Sequence, residues 1–203
     1  MKKLIIFDLD GTLLNTIADL AQSTNHALQA LGYPTHPESD YNFMVGNGIN
    51  KLFERALERG KSEENVLRVR KEFVPYYDVH NADKSRPYPG IPELLEQLQE
   101  KGMILAVASN KYQSATVKLI SHYFPHIRFT AVFGQREGVN VKPDRQWCMT
   151  FWTSPGYPVK TCYMWETPEW ICRRPPMPES LPAESPGDSV PAQNWKSFIR
   201  HIS

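Results

Sequence analysis

The sequence is poor in the features that mark export, membrane insertion or polyanion binding. Cysteine occurs three times, at positions 148, 162 and 172, too few and too unevenly placed for a disulfide framework. No apolar run approaches the roughly 20 residues needed to span a bilayer. Lysines and arginines outnumber acids by one, for a net charge of +1, so no electrostatic case exists for nucleic acid or an acidic membrane surface. Lys2 and Lys3 provide a basic start, but the apolar run Leu4–Phe7 stops at Asp8, too short for an export core, and the expected location is the cytoplasm. Nothing here marks an oligomeric state. The 203 residues suit one domain carrying a smaller insertion, long enough to bury a real core.

A second absence is local. Before Asp144 there is no Trp and no Cys, whereas all five Trp, all three Cys and nine of the seventeen Pro follow it, with only two of the eleven Gly. The composition therefore breaks near residue 144, and hydrophobic periodicity stops there too.

Ahead of the break the chain alternates strands and helices. Lys3–Phe7 is a short apolar run ending in acid, the pattern of a buried parallel strand. Residues 16–31 place Ile17, Leu20, Ala21, Thr24, Leu28 and Leu31 on one helical face before Gly32. Ile49–Arg59 repeats the pattern up to Gly60, and Ser62 is placed to cap a further helix with Glu63 and Glu64 in its first turn. Pro92 opens another helix, with Leu94, Leu95 and Leu98 facing inward. Met103–Ala108 reads as a second buried strand, Gln113–Tyr123 as a helix and Ala131–Gly134 as a third strand. The order implies an α/β fold with a parallel sheet, interrupted by inserted helices at about 16–80.

Three short motifs carry chemistry. In FDLDGT, Asp8 ends the first strand, where open α/β sheets place their ligands, and Gly11 lets the chain turn just after Asp10. Two carboxylates this close can share a divalent cation or divide the roles of nucleophile and proton donor; a plain Asp-Gly turn is the alternative. In VASNK, Ser109 follows the second strand and Asn110 is expected to begin a helix, a place suited to a phosphate oxygen or to ordinary capping. In NVKPD, Lys142 follows the third strand; its ammonium could neutralise a phosphoryl group or simply lie in solvent.

In this order the three motifs resemble those of the haloacid dehalogenase superfamily, over roughly residues 1–144. MVGNGINKLFERAL, residues 44–57, is similar to the cap of its phosphoglycolate phosphatases. The resemblance implies a Rossmann-like parallel sheet core formed by 1–15 and 83–144, with 16–82 as an inserted helical cap. It implies that Asp8 attacks phosphorus to form an aspartyl-phosphate and that Asp10 protonates the leaving alcohol and then activates water. It implies Mg²⁺ held by Asp8, the backbone carbonyl of Asp10 and an acid of a fourth motif, and phosphate oxygens held by Thr12, Ser109, Asn110 and Lys142. The implied partner is a small phosphorylated metabolite such as 2-phosphoglycolate, with no nucleic acid and no membrane. Asn47 and Arg55 could reach the substrate, or Arg55 could be a solvated helix residue.

The family's fourth motif, an apolar strand ending in G-D-x-x-x-D, is missing after Lys142, and with it the third acidic metal ligand. Asp144, Glu166 and Glu169 are the only nearby acids, and none follows an evident strand pattern. Back-translating Tyr163–Ile171 and reading from the last base of the Tyr codon yields Y-V-G-D-x-G-V-D, the absent motif. The expectation is therefore that one base was lost near the codons of Asp144 and Arg145. Residues 145–203 would then be out of frame, the C-terminal third of the core lost and catalysis impaired. Two other readings stay open. RRPPMP, residues 173–178, could make the chain an inactive protein or binding module that offers a polyproline II ligand, and a sugar-phosphate mutase would share the same aspartates.

Overall fold

Four consecutive apolar residues, Leu4–Phe7, form strand β1, and each is fully buried. The structure, a computed structural model, describes residues 4–142 and the backbone of 162–165. β1 lies inside a four-stranded sheet of order β5-β4-β1-β6, where β4 is Ile104–Tyr112, β5 is Phe129–Gln135 and β6 is Cys162–Trp165. All pairings in it are parallel. Burial on both faces explains why β1 is continuously apolar. Ile5 and Phe7 pack with Leu94, Leu95 and Leu98 of α5, Ile91–Glu100, and with Leu119 and Ile120 of α6, Gln113–Tyr123. Leu4 and Ile6 point the other way, onto Ala106 and Ala108.

The inserted helices have a core of their own. They are α1 (Ile17–Ala30), the short α2 (Tyr41–Met44), α3 (Ile49–Ala56) and α4 (Glu63–His80). Leu20, Leu28, Leu52, Phe53, Val69, Phe73 and Tyr77 form its centre. Phe53 meets Phe73 edge-on at 5.0 Å, and Phe73 stacks on Tyr77 at 5.0 Å. Each such buried ring contributes about 2–3 kcal/mol through area alone. Ser62 caps α4 as its position suggests, its Oγ accepting from the Asn65 N–H at 3.2 Å. Burial pushes the phenols of Tyr41 and Tyr112 above their usual range, aided by the neighbouring Asp40 and by the hydrogen bond to Asp78 respectively.

Helices and sheet are joined by two chain crossings that share one carboxylate. Asp19, in the first turn of α1, is 1 % exposed. It accepts from the Lys84 N–H (2.9 and 3.1 Å), the Ser85 N–H (2.8 Å) and the Ser85 hydroxyl (2.7 Å). A small antiparallel ladder follows, pairing β2, Leu14–Asn15, with β3, Arg86–Pro87.

Two features depart from the sequence reading. The second strand runs on to Tyr112, so Asn110 lies within β4 instead of beginning a helix, while the helix spans Gln113–Tyr123 as the sequence suggests. The cause is side-chain tethering of Asn110 to the main chain of Lys142, which holds the segment extended where a cap was expected. The second departure is β6, a strand in a region that shows no strand pattern. Cys-Tyr-Met-Trp is apolar and aromatic enough to pair, but four residues are too few to display a period. The rest of the expected out-of-frame tail, including RRPPMP and Glu169, lies outside the described residues.

Removing the Asp19 carboxylate strands two buried N–H groups. Asp19→Ala should cost about 3 kcal/mol and lower Tm by roughly 6–12 °C, with Asp19→Asn milder because one acceptor remains. Thermal unfolding followed by circular dichroism checks this.

Candidate active site

The site forms where β1 and β4 end. Asp8 follows β1 directly, and its Oδ1 accepts from the Leu9 N–H at 2.7 Å. A tight turn comes next: the N–H groups of Thr12, Leu13 and Leu14 all donate to the Leu9 carbonyl, at 3.0–3.3 Å. Gly11 takes φ of 79°, a left-handed conformation that disfavours any side chain, and this returns Asp10 to the same edge.

Two buried lysines face the two aspartates. Lys142 Nζ lies 3.2 Å from Asp8 Oδ1, and Lys111 Nζ lies 3.2 Å from Asp10 Oδ1. They are 5 % and 3 % exposed. Ammonium groups so deep need a carboxylate each, because desolvation of an unpaired charge costs several kcal/mol. Asp10 Oδ1 also accepts from the Thr16 hydroxyl at 2.6 Å. Lys111 escaped the sequence reading, although it follows Asn110 in the same motif; nothing in a sequence shows that β4 continues and turns the residue inward.

The remaining expected residues divide. Thr12 is 2 % exposed and its hydroxyl has no hydrogen-bond partner among the described residues, a polar atom suited to an oxyanion. Ser109 Oγ accepts from the Lys111 N–H at 3.2 Å and lines the cleft. Asn110 is occupied elsewhere. Its Oδ1 accepts from the Lys142 N–H at 2.6 Å, and its Nδ2 donates to the carbonyls of Gly46 (3.0 Å) and Lys142 (3.3 Å). Its side chain braces Lys142 against the loop after α2 and has no amide hydrogen left for phosphate. Arg55 likewise spends its guanidinium on the Met44 carbonyl (2.6 Å) and on Asn47 Oδ1 (2.7 Å), bracing the Val45–Gly48 turn. Neither it nor Asn47 lines the cleft.

The cleft is about 360 Å³. Asp8, Asp10, Ser109 and Lys111 form its polar floor, and Leu20, Val45, Ile49 and Leu52 of the helical layer form its apolar roof. Tyr77 and Tyr88 lie near Asp10. Burial first, and then the Asp10 charge, raises both phenols, so they are neutral hydrogen-bonding groups at ordinary pH. A second hollow of about 330 Å³ by Lys84 and Arg86 contains none of the paired carboxylates. The fit of β5 under the site is tight: a Cβ on Gly134 would come within 2.6 Å of the Lys111 carbonyl and 2.7 Å of Gln113 Cα.

The donors include hard carboxylate and carbonyl oxygens, which suit a small divalent cation. No group of three or more His, Cys, Asp or Glu occurs among the described residues, so the described part supplies only part of such a site. No described helix is long and apolar enough to cross a membrane.

A parallel sheet with an acid pair at the carboxyl end of its central strand, roofed by inserted helices, defines a capped α/β hydrolase. More narrowly, the chain belongs to the haloacid dehalogenase-like hydrolases, whose family model matches residues 5–157. It is 35 % identical over 146 residues to a phosphoglycolate phosphatase of Mesorhizobium japonicum, covering 70 % of this chain and 64 % of that protein. It is 37 % identical over 148 residues to one of Haemophilus influenzae, covering 70 % and 66 %. The chain thus spans just under two thirds of the length of these relatives. A crystal structure from Haemophilus somnus, described as a predicted phosphoglycolate phosphatase, superposes with a TM-score of 0.67 at 32 % identity, covering 74 % of this chain and 70 % of that one.

Asn110→Ala removes the brace between Lys142 and the Gly46 carbonyl. It should lower stability by about 1–3 kcal/mol, and it should weaken inorganic phosphate binding in titration calorimetry, whereas Arg55→Ala should leave phosphate binding within about twofold.

Proposed function

We infer that the chain is built as a phosphatase for a small phosphate monoester of the 2-phosphoglycolate kind. The observation that carries this is the pairing of Asp8 with buried Lys142 at the end of the central strand, with an unpartnered buried hydroxyl on Thr12 in the turn that follows. A nucleophilic carboxylate flanked by a fixed cation and a free buried donor suits a tetrahedral dianion. The size of the cleft and the names of the relatives at 35–37 % identity support the small substrate.

The steps follow from the residues. Asp8 bonds to phosphorus as the ester P–O bond breaks, and Asp10 passes its proton to the departing alkoxide, releasing the alcohol. Asp10, now a carboxylate, takes a proton from water as the water oxygen bonds to phosphorus and the Asp8 acyl phosphate is cleaved. Lys142, Thr12 and Ser109 hold the phosphoryl oxygens throughout. Mg²⁺, for which Asp8 and the main-chain carbonyl of Asp10 would be ligands, would neutralise charge on those oxygens. The apolar roof limits water around the reacting atoms. In this reading 1–15 and 83–144 are the core and 16–82 the cap, and the location is cytoplasmic.

A base lost near the codons of Asp144 and Arg145 would explain the missing fourth motif and the compositional break together, and would leave the third acidic ligand absent and turnover impaired. Sequencing of the encoding DNA should show codons from Val141 to Arg174 that yield Y-V-G-D in the neighbouring frame; codons unable to give those triplets end this account.

For the activity itself, magnesium should be required, and Asp8→Asn should lower kcat on 2-phosphoglycolate on the order of a thousandfold or more. A phosphorylated Asp8 should be trapped by rapid acid quench and located by mass spectrometry. A chain with its tail repaired that forms no such adduct would remove the phosphatase reading.

A further inference from the structure

Lys111 is the only cationic side chain lining the cleft among the described residues, and the phosphate-binding set does not use it. It is anchored from two directions. Its Nζ donates to the Tyr77 hydroxyl at 2.9 Å and lies 4.8 Å from the centre of that ring. Tyr77 belongs to α4, in the helical layer, while Lys111 belongs to β4 of the sheet. On its other side Nζ reaches Asp10 Oδ1. Both side-chain contacts of Asp10 among the described residues, from Lys111 and from Thr16, fall on that one oxygen, leaving Oδ2 uncommitted.

A carboxyl that must deliver a proton to one particular atom gains from having its other oxygen fixed. We propose that Lys111 is a positioning residue for Asp10: held by Tyr77 from the helical layer, it grips Oδ1 and keeps Oδ2 directed at the leaving-group oxygen. The proposal rests on the phosphatase reading and goes beyond it, since it makes the proton-transfer geometry depend on a contact between the cap and the sheet. Lys111 touches no reacting atom and changes no bond; the proton still passes from Asp10 to the alkoxide.

This predicts a dependence on the leaving group. An alkyl phosphate expels a strongly basic alkoxide and needs the proton, whereas p-nitrophenyl phosphate expels a stable phenolate and hardly does. In the full chain, and in its frame-repaired form, Lys111→Met should lower kcat for an alkyl phosphate about 100-fold, within the range of lost general-acid help. It should lower kcat for p-nitrophenyl phosphate by less than about threefold, with KM little changed on either. Tyr77→Phe should show the same bias at smaller size. Equal losses on both substrates would overturn the proposal, because a fold or phosphate defect does not sense the leaving group. So would a loss that appears mainly in KM and only for esters bearing a carboxylate, which would make Lys111 a substrate ligand. Asp8→Asn tests the phosphatase reading separately, since it should abolish turnover of both esters alike. A crystal structure of Lys111→Met decides without turnover: Asp10 should rotate off Thr16, and a carboxylate unmoved beside Thr16 Oγ1 would refute the role.

Discussion

The molecule depends on the neutralisation of charge at the carboxyl end of β1. Two aspartates end up there because a fully apolar strand delivers Asp8 and a left-handed Gly11 turns the chain after Asp10. Left alone in that partly buried place they would repel each other and lose water. Two lysines at 3.2 Å, one per aspartate, balance the cluster. Neither lysine would be tolerated so deep without its carboxylate. The four groups are therefore a single device, and much of the fold serves to bring them together: β4 carries Lys111, the segment after β5 carries Lys142, and Asn110 ties the two segments to each other.

How much of this can be read from the chain depends on the range of the interaction. Asp8, Asp10 and Gly11 are legible because the motif is contiguous and its turn is local. Helix α6 is legible as Gln113–Tyr123, because Ala115, Thr116, Leu119 and Ile120 give it an inward face at helical spacing. The end of β4 is not, because its cause is a contact between Asn110 and Lys142, 32 positions apart. Asn110 in a Ser-Asn pair reads as a cap or an anion ligand, and only the tertiary structure shows that its amide is fully engaged. Lys111 and Tyr77 are 34 positions apart and belong to different layers, so no local pattern could have paired them.

The strand β6 shows the opposite limit. Its backbone runs parallel to β1, with Trp165 in register with Phe7, so its end is level with the strand that presents Asp8. The next residue in sequence is Glu166. As written the stretch reads Tyr-Met-Trp-Glu, and its codons can also yield Tyr-Val-Gly-Asp in the neighbouring frame, each a short run followed by an acid. Strand pairing is a property of the backbone and tolerates such exchanges of side chains. Metal coordination depends on the length and placement of a particular carboxylate and does not.

The inserted helices and the sheet side meet mostly through polar ties. Asp19 holds the main chain at 84 and 85, Tyr77 holds Lys111, Asn110 holds the Gly46 carbonyl, and the Tyr112 hydroxyl donates to Asp78 at 2.7 Å. Apolar contact across the same boundary is slight: Ala115 is the one fully buried residue of the sheet layer in the hydrophobic cluster of the inserted helices, joined at its margin by the half-buried Tyr112. Apolar burial is indifferent to small rotations, whereas a buried hydrogen bond loses most of its value within an ångström or so of misplacement. Polar ties therefore fix the angle of the roof over the aspartates more sharply than an oily interface of equal energy would. The boundary thus sets orientation with few side chains, each spanning from the helical layer to the sheet side.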